Sequence, residues 1–337
     1  MKGWLGWCLI AMGSAVPCMG GDFTALCREK ADVAEKASAM SVRGREGWLF
    51  LAAELRHLAA GEFWGPAATK VSRATRPEHA DPLPAILDFH AQMRKSGIEL
   101  LVVPVPAKAA IYADKLDASL SPRPRLDGVQ QRFFKELAGA GVEVLDLSEE
   151  FLDQCDQPMY CKTDSHWSGR ACELAAKRIA KRIEGRRWLK DVPRIEVKTE
   201  TREKAFEGDL VRGLEGDAPA RESLPLRLVT AGGEPVEPSR ASPILLLGDS
   251  HCLVFHAGED MLASAAGLPD QLAAELGFAV DLVAVRGSGA TPARVNLLRL
   301  ARADAGYLDK KKLVIWCFSV REFTESTGWS KVPVVKP

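Results

Sequence analysis

No surplus of charge marks this chain: Lys plus Arg and Asp plus Glu each number 45, so the formal net charge at pH 7 is zero. Without a basic surplus, composition gives no case for nucleic acid or an anionic membrane surface as a partner. Internal repeats and low-complexity tracts are absent, which excludes repeat arrays and fibrous classes. Past residue 20, no uncharged apolar run approaches the length of a bilayer span. Histidines are few, six in all, so each can be weighed singly. What is present is a globular composition, 47% hydrophobic and 27% charged over 337 residues. That suffices for one large α/β domain or two small ones.

The first residues follow a different logic. Met1-Lys2 gives a minimal positive start, an apolar stretch runs from Trp4 to Met19, and Ser14, Pro17, Gly20 and Gly21 collect near its end. This is the pattern of a secretory signal peptide over residues 1–20, or of an uncleaved N-terminal anchor, leaving 21–337 as the exported domain. Pro17 before Cys18 argues against a lipid-modified cysteine. Of eight cysteines, Cys8 and Cys18 fall in this leader, leaving Cys27, Cys155, Cys161, Cys172, Cys252 and Cys317. Export favours pairing, and Cys155 and Cys161 bracket a short loop, so a Cys155–Cys161 disulfide is expected. Zinc on Cys155, Cys161, His166 and Cys172 is the weaker reading, because the spacing is irregular. No metal or cofactor is called for.

The rest reads as alternating helices and short apolar strands. Helices are expected near 54–58, 83–96, 133–140, 168–183, 268–276 and 291–303. Strands are expected over 98–105, 142–147, 244–247, 280–285 and 313–318. Four-to-eight-residue apolar strands between helices indicate a mostly parallel sheet covered on both faces. Residues 187–240 break the pattern with charge, Pro, Gly and short alternating runs such as Ile195-Glu196-Val197-Lys198-Thr199. A small β-rich insertion is expected there.

Two short motifs carry the chemistry. Gly248-Asp249-Ser250-His251 follows the apolar run Ile244-Leu245-Leu246-Leu247. A serine where a strand turns into a helix projects its hydroxyl above the sheet edge, and its own N–H lies where an oxyanion develops. Gly248 permits the turn and Asp249 braces it, with a helical pattern expected from about Cys252. An N-cap serine is the plainer alternative. The second motif is Thr163-Asp164-Ser165-His166-Trp167. Residues two apart in extended backbone project to one side, so Asp164 can hold the Nδ1–H of His166 and leave Nε2 as a base. An ordinary buried His-Asp pair is the plainer alternative. Trp167 could pack over that ring or line a sugar site, and Ser168 looks like the N-cap of the next helix. His256 could line the pocket, whereas His251 should diverge from Ser250, and His57, His79 and His90 have no partner motif. A further oxyanion donor is needed, and the loop Arg286-Gly287-Ser288-Gly289 offers a guanidinium or the N–H of Gly287 or Gly289.

Gly-Asp-Ser after a buried strand, with Asp and His in one short motif, resembles the SGNH hydrolase superfamily. Here the Asp-His motif precedes the serine motif and has a single intervening residue. That order is similar to the alginate O-acetyltransferase family, with its AlgJ/AlgX-like SGNH domain. Gly47-Trp48-Leu49-Phe50, Phe63-Trp64-Gly65, Val103-Pro104-Val105-Pro106-Ala107-Lys108 and the ending Val314-Ile315-Trp316-Cys317-Phe318-Ser319-Val320-Arg321-Glu322 fit the same family. The likeness spans about residues 40 to 325.

The resemblance implies an SGNH-like three-layer α/β domain in the periplasm, free or held at the inner membrane. It further implies an exported O-acetyltransferase acting on an exopolysaccharide and fed with acetyl groups by a membrane-bound O-acyltransferase. Ser250 would carry the acetyl group, His166 would act as base and acid, and Asp164 would orient it. The asparagine usual in the SGNH oxyanion hole has no counterpart, and Asn296 falls in a helical stretch. Two other readings stand beside this one: a carbohydrate O-acetyl esterase with the same triad, and a non-catalytic component of a polysaccharide secretion complex.

Overall fold

The computed structural model describes residues 19–335, apart from 121–123, 215 and 218. The expected leader lies almost wholly outside the described residues, as do Cys8 and Cys18. Among the described residues no helix is long and apolar enough to cross a membrane.

The strands in chain order are β1 (Ser41–Arg43), β2 (Leu49–Leu51), β3 (Glu99–Val105), β4 (Glu143–Val144), β5 (Lys198–Phe206), β6 (Glu222–Ala231), β7 (Glu234–Pro235), β8 (Ile244–Gly248), β9 (Asp281–Ala284) and β10 (Leu313–Ser319). Five of them form a parallel sheet in the order β4-β3-β10-β8-β9. Every residue of β8 and β10 is buried, as is all of β3 after Glu99. Strands buried on both faces read as unbroken apolar runs, which is why these were legible in sequence. Their helical cover comes from amphipathic segments. Pro82–Lys95 buries Ala85, Ile86, Phe89 and Met93, the spacing of one helix face. It begins at an Asp81 cap accepting from the Leu83 N–H at 2.9 Å. Helix Leu268–Leu276 ends at Gly277 in the left-handed region, φ 72°, where a residue without Cβ is favoured.

The strand predicted over 142–147 is paired only at Glu143 and Val144. Beyond Val144 the Asp146 carboxylate turns to accept from the Ser148 N–H at 2.9 Å, capping the next turn and ending the ladder. The β-rich insertion is a three-stranded antiparallel sheet, β5-β6-β7. Its β6–β7 turn uses Gly232 and Gly233, both at positive φ, as a two-residue hairpin turn of the primed kind requires. The insertion is seated on helix Gly169–Ile183: a Cβ on Gly169 would lie 2.6 Å from Leu226 Cδ2. The close approach of that helix to β6 depends on the missing side chain.

Order across the sheet decides where chemistry can sit. The last strand, β10, lies between β3 and β8, and Cys317 stands opposite Gly248 in the parallel ladder. The loops after β8 and β10 therefore leave the same sheet edge side by side. In open parallel sheets, ligands bind outside the carboxyl ends of strands, where the strand order reverses.

Candidate active site

Ser250 stands two residues beyond the end of β8. A Cβ on Gly248 would lie 1.9 Å from the Cys317 carbonyl oxygen, so the turn admits only glycine there. Asp249 braces the turn as expected. Its Oδ1 accepts from the His251 N–H at 2.9 Å and its Oδ2 from the Ser319 N–H at 2.8 Å. The expected helix from Cys252 is absent. Ser250–Cys252 form a single 3₁₀ turn, and the chain then doubles back, with Phe255 donating to Met261 O and an Ala257–Ser264 bridge. His256 is drawn aside to Asp270 Oδ2 at 2.9 Å, where that carboxylate also accepts from the Gly267 N–H. His256 thus braces the start of helix Leu268–Leu276. The Ser250 N–H has no acceptor among the described residues.

The Asp-His motif arrives from the loop before helix Gly169–Ile183, whose N-cap is Ser168, accepting from the Ala171 N–H. His166 Nδ1 lies 2.6 Å from Asp164 Oδ1, and His166 Nε2 lies 2.7 Å from Ser250 Oγ. Asp164 Oδ1 also accepts from the His166 N–H at 3.0 Å, and Oδ2 from the Asp209 N–H at 2.8 Å. Burial pushes the Asp164 carboxyl up, but the hydrogen bond and charge of His166 outweigh it and bring the group down to about 2. For His166, burial favours the neutral ring, while the hydrogen bond and charge of Asp164 win and raise its pKa. Asp164, His166 and Asp209 are close enough to be compared with a metal site. Each of these four carboxylate oxygens, however, already accepts a hydrogen bond.

Three supports were given no role by the sequence. Asp209, in the insertion, accepts from the Ser165 N–H at 2.7 Å and the Ser165 hydroxyl at 2.6 Å. Burial and the nearby Asp164 charge raise its pKa. Lys108, just beyond β3, is buried with its Nζ donating to the carbonyls of Leu49, Lys162 and Asp164 at 2.6, 2.9 and 3.0 Å. Burial pulls that ammonium down to about 8. His251 lies beside the other motif: its ring centroid is 5.0 Å from that of His166. Its Nδ1 is 3.1 Å from Asp249 Oδ1, and burial holds its pKa low. Only Lys108 left a trace in the sequence, as a cation directly after a buried strand.

The remaining expected residues divide. Trp167 is fully buried. Its Nε1–H donates to the His251 carbonyl at 3.0 Å, so it ties the two motifs together from beneath and lines no sugar site. Arg286 is more than half exposed, and Asp260 holds its Nε and Nη2 at 3.0 and 2.7 Å. Gly287 has positive φ, 101°, with open space around it. Gly289 is the member of that loop beside the Ser250 turn: a Cβ there would lie 2.9 Å from Asp249 N. The predicted Cys155–Cys161 disulfide is not present, and both thiols are reduced. Cys161 is fully buried with its Sγ directed at the Trp167 carbonyl, 3.7 Å away, so its side chain is committed to the interior side of the loop.

The family model described as "SGNH hydrolase-like domain, acetyltransferase AlgX" matches residues 42–320. The chain belongs to this family. A curated relative, "Probable alginate O-acetylase AlgJ" of Pseudomonas aeruginosa, is 26% identical over 186 residues, 55% of this chain and 43% of that protein. The match thus spans less than half of that relative. Among solved structures, the O-acetyltransferase domain of Pseudomonas putida AlgJ aligns with TM-score 0.62 at 22% identity, covering 84% of this chain and 92% of that one. Pseudomonas aeruginosa AlgX aligns with TM-score 0.61 at 17% identity, covering 88% and 66%. At these identities the structural likeness speaks for the SGNH-like fold.

Proposed function

We propose that this AlgX-family chain is an exported O-acetyltransferase that moves acetyl groups onto polysaccharide hydroxyls through an acetyl ester of Ser250. The observation that carries the reading is the unbroken hydrogen-bonded line Asp164–His166–Ser250, at 2.6 and 2.7 Å. His166 Nε2 takes the Ser250 proton as Oγ attacks the acetyl carbonyl, and the Asp164 carboxylate offsets the imidazolium charge. The proton then goes to the departing donor oxygen. In the second half, an acceptor hydroxyl gives its proton to His166 and attacks the acetyl ester, and the departing Ser250 Oγ takes that proton back. The names of the relatives favour an acidic exopolysaccharide as acceptor. The apolar leader favours export to the periplasm, and family likeness favours a membrane-bound O-acyltransferase as the acetyl source.

Incubating the protein with a chromogenic acetyl ester, with and without uronate oligosaccharide, tests this. Acetylated oligosaccharide that depends on Ser250 is the expected product. Acetate release that oligosaccharide never diverts would make the protein an esterase. Equal polymer acetylation in cells carrying Ser250→Ala would remove the catalytic reading altogether.

A further inference from the structure

Arg321 stands in an unusual electrostatic position. It follows β10 by two residues; β10 pairs in parallel with β8, Cys317 opposite Gly248, so the register carried on sets Ser319 level with Ser250 and Arg321 two residues beyond. The Ser319 N–H donates to Asp249 Oδ2 at 2.8 Å, which ties the two exits together. Among the described residues the Arg321 guanidinium has no hydrogen-bond or ion-pair partner, and its Nη1 is buried. The adjoining Glu322 does not take it, because that carboxylate accepts from the Ser288 hydroxyl. Glu54 accepts from the Ala109 N–H at 3.0 Å. Leaving a buried charged donor unmet costs free energy, so an anionic oxygen placed against Nη1 would be held strongly. The field of Arg321 reaches the nucleophile region, since it lowers the pKa of Asp249 and works against protonation of both His166 and His251.

Resting on the acyl-serine reading above, we propose that Arg321 is a catalytic residue that binds the oxyanion of the tetrahedral intermediates, together with the Ser250 N–H. When Ser250 Oγ bonds to the acetyl carbon, its proton passes to His166 and the carbonyl π pair moves onto oxygen. That oxygen accepts from the guanidinium and from the Ser250 N–H. Collapse returns the pair to the C=O bond and expels the donor alkoxide, which takes the proton from His166. Arg321 thereby fills the place expected of the Arg286 loop.

The test uses the full chain and 4-nitrophenyl acetate, a neutral ester with no carboxylate to be recognised. Arg321→Gln is expected to lower kcat about 100- to 1000-fold with KM little changed. It should also move the His166 limb of the pH profile to higher pH, because a positive charge has left a ring faced by Asp164, Asp209 and His251. Turnover within threefold of wild type overturns the inference, as does a loss seen only with uronate oligosaccharide acceptors, which would make Arg321 a carboxylate clamp. Should Arg321→Gln not fold, the wild-type adduct with a methylphosphonyl fluoride decides. A phosphonyl oxygen within hydrogen-bond distance of Arg321 supports the inference, and one placed elsewhere overturns it. If wild-type turnover does not depend on Ser250, the proposed function itself fails. If it does and Arg321→Gln is undiminished, only this inference fails.

Discussion

Replacing Asp164 by Asn separates the two roles that the proposed function gives its carboxylate, orientation and charge. Oδ1 accepts from two donors, His166 Nδ1 at 2.6 Å and the His166 N–H at 3.0 Å, while Oδ2 accepts only from the Asp209 N–H at 2.8 Å. An amide has one oxygen, and its NH₂ must face a donor on one side or the other. Two donors outweigh one, so the amide oxygen stays on His166 and the NH₂ opposes Asp209 N. The imidazole then keeps the tautomer with Nε2 free to accept from Ser250. Only the carboxylate charge is lost, a charged hydrogen bond of about 1.5–3 kcal/mol. At 1.36 kcal/mol per decade this is a loss of about 10- to 200-fold in kcat/KM, against about 10⁴-fold when the tautomer is wrong. Because Asp164 raises the pKa of His166, the limb on which activity appears with rising pH should shift to lower pH in the variant. The unmet Asp209 N–H should cost about 1–3 kcal/mol in urea unfolding. Acetyl-ester turnover against pH measures the first two effects. A 10⁴-fold loss would show that the amide had turned, and an unchanged rate with an unmoved limb would show that Asp164 does not act on His166.

Three further outcomes follow from the supports of the site. Lys108→Met removes the ammonium donor of the Leu49, Lys162 and Asp164 carbonyls, of which Lys162 O keeps the Leu49 N–H. It should destabilise by about 3 kcal/mol in urea unfolding, whereas equal or greater stability would mean that burying the ammonium costs more than its bonds contribute. Asp209→Ala removes both acceptors of Ser165; ester turnover should fall about tenfold, with faster proteolysis in the β5–β6 hairpin, and neither change would mean the insertion is not clamped there. Despite burial, the His251 charge and the Ser319 N–H hold Asp249 down to about 2. Its contribution to stability is present above about pH 4 and lost as pH falls from there towards 2, a change of about 2 kcal/mol. Unfolding midpoints over that range should fall less steeply in Asp249→Asn, and identical slopes would refute the assignment.

Legibility followed the range of the interactions. Helices at Leu268–Leu276 and Thr291–Ala303 read off directly because each carries its own signals, a proline in the first turn and, for the former, Gly277 at the end. The buried strands announced themselves as apolar runs. The turn after Ser250 misled, since its helix-like residues are held open by His256 on Asp270 and by pairing of Phe255 with Met261. Cysteine spacing misled for a related reason. A short loop between Cys155 and Cys161 says how far apart the residues are in chain, whereas the packing of Trp167 decides where the Cys161 thiol points. Asp209 had no local signature, because its partner Ser165 lies 44 positions away, and Lys108 showed only as a cation after a buried strand.

The two halves of the site are the same tripeptide put to opposite uses. Asp164-Ser165-His166 and Asp249-Ser250-His251 both fold so that the aspartate accepts from the histidine N–H and ring two residues on. In the first, the serine is consumed by Asp209, and the ring is left with its Nε2 turned to Ser250 Oγ. In the second, Asp249 is consumed by Ser319 and His251 is packed edge-on against Trp167, so the serine is what remains to be presented. Side-chain chemistry alone cannot tell these apart; the partner that occupies one member of each tripeptide decides which member is left for the reaction. In the proposed reaction, the roles are therefore divided by long-range contacts at the carboxyl edge of the sheet. Those contacts exist only because β10 folds in between β3 and β8, bringing Ser319 beside Asp249.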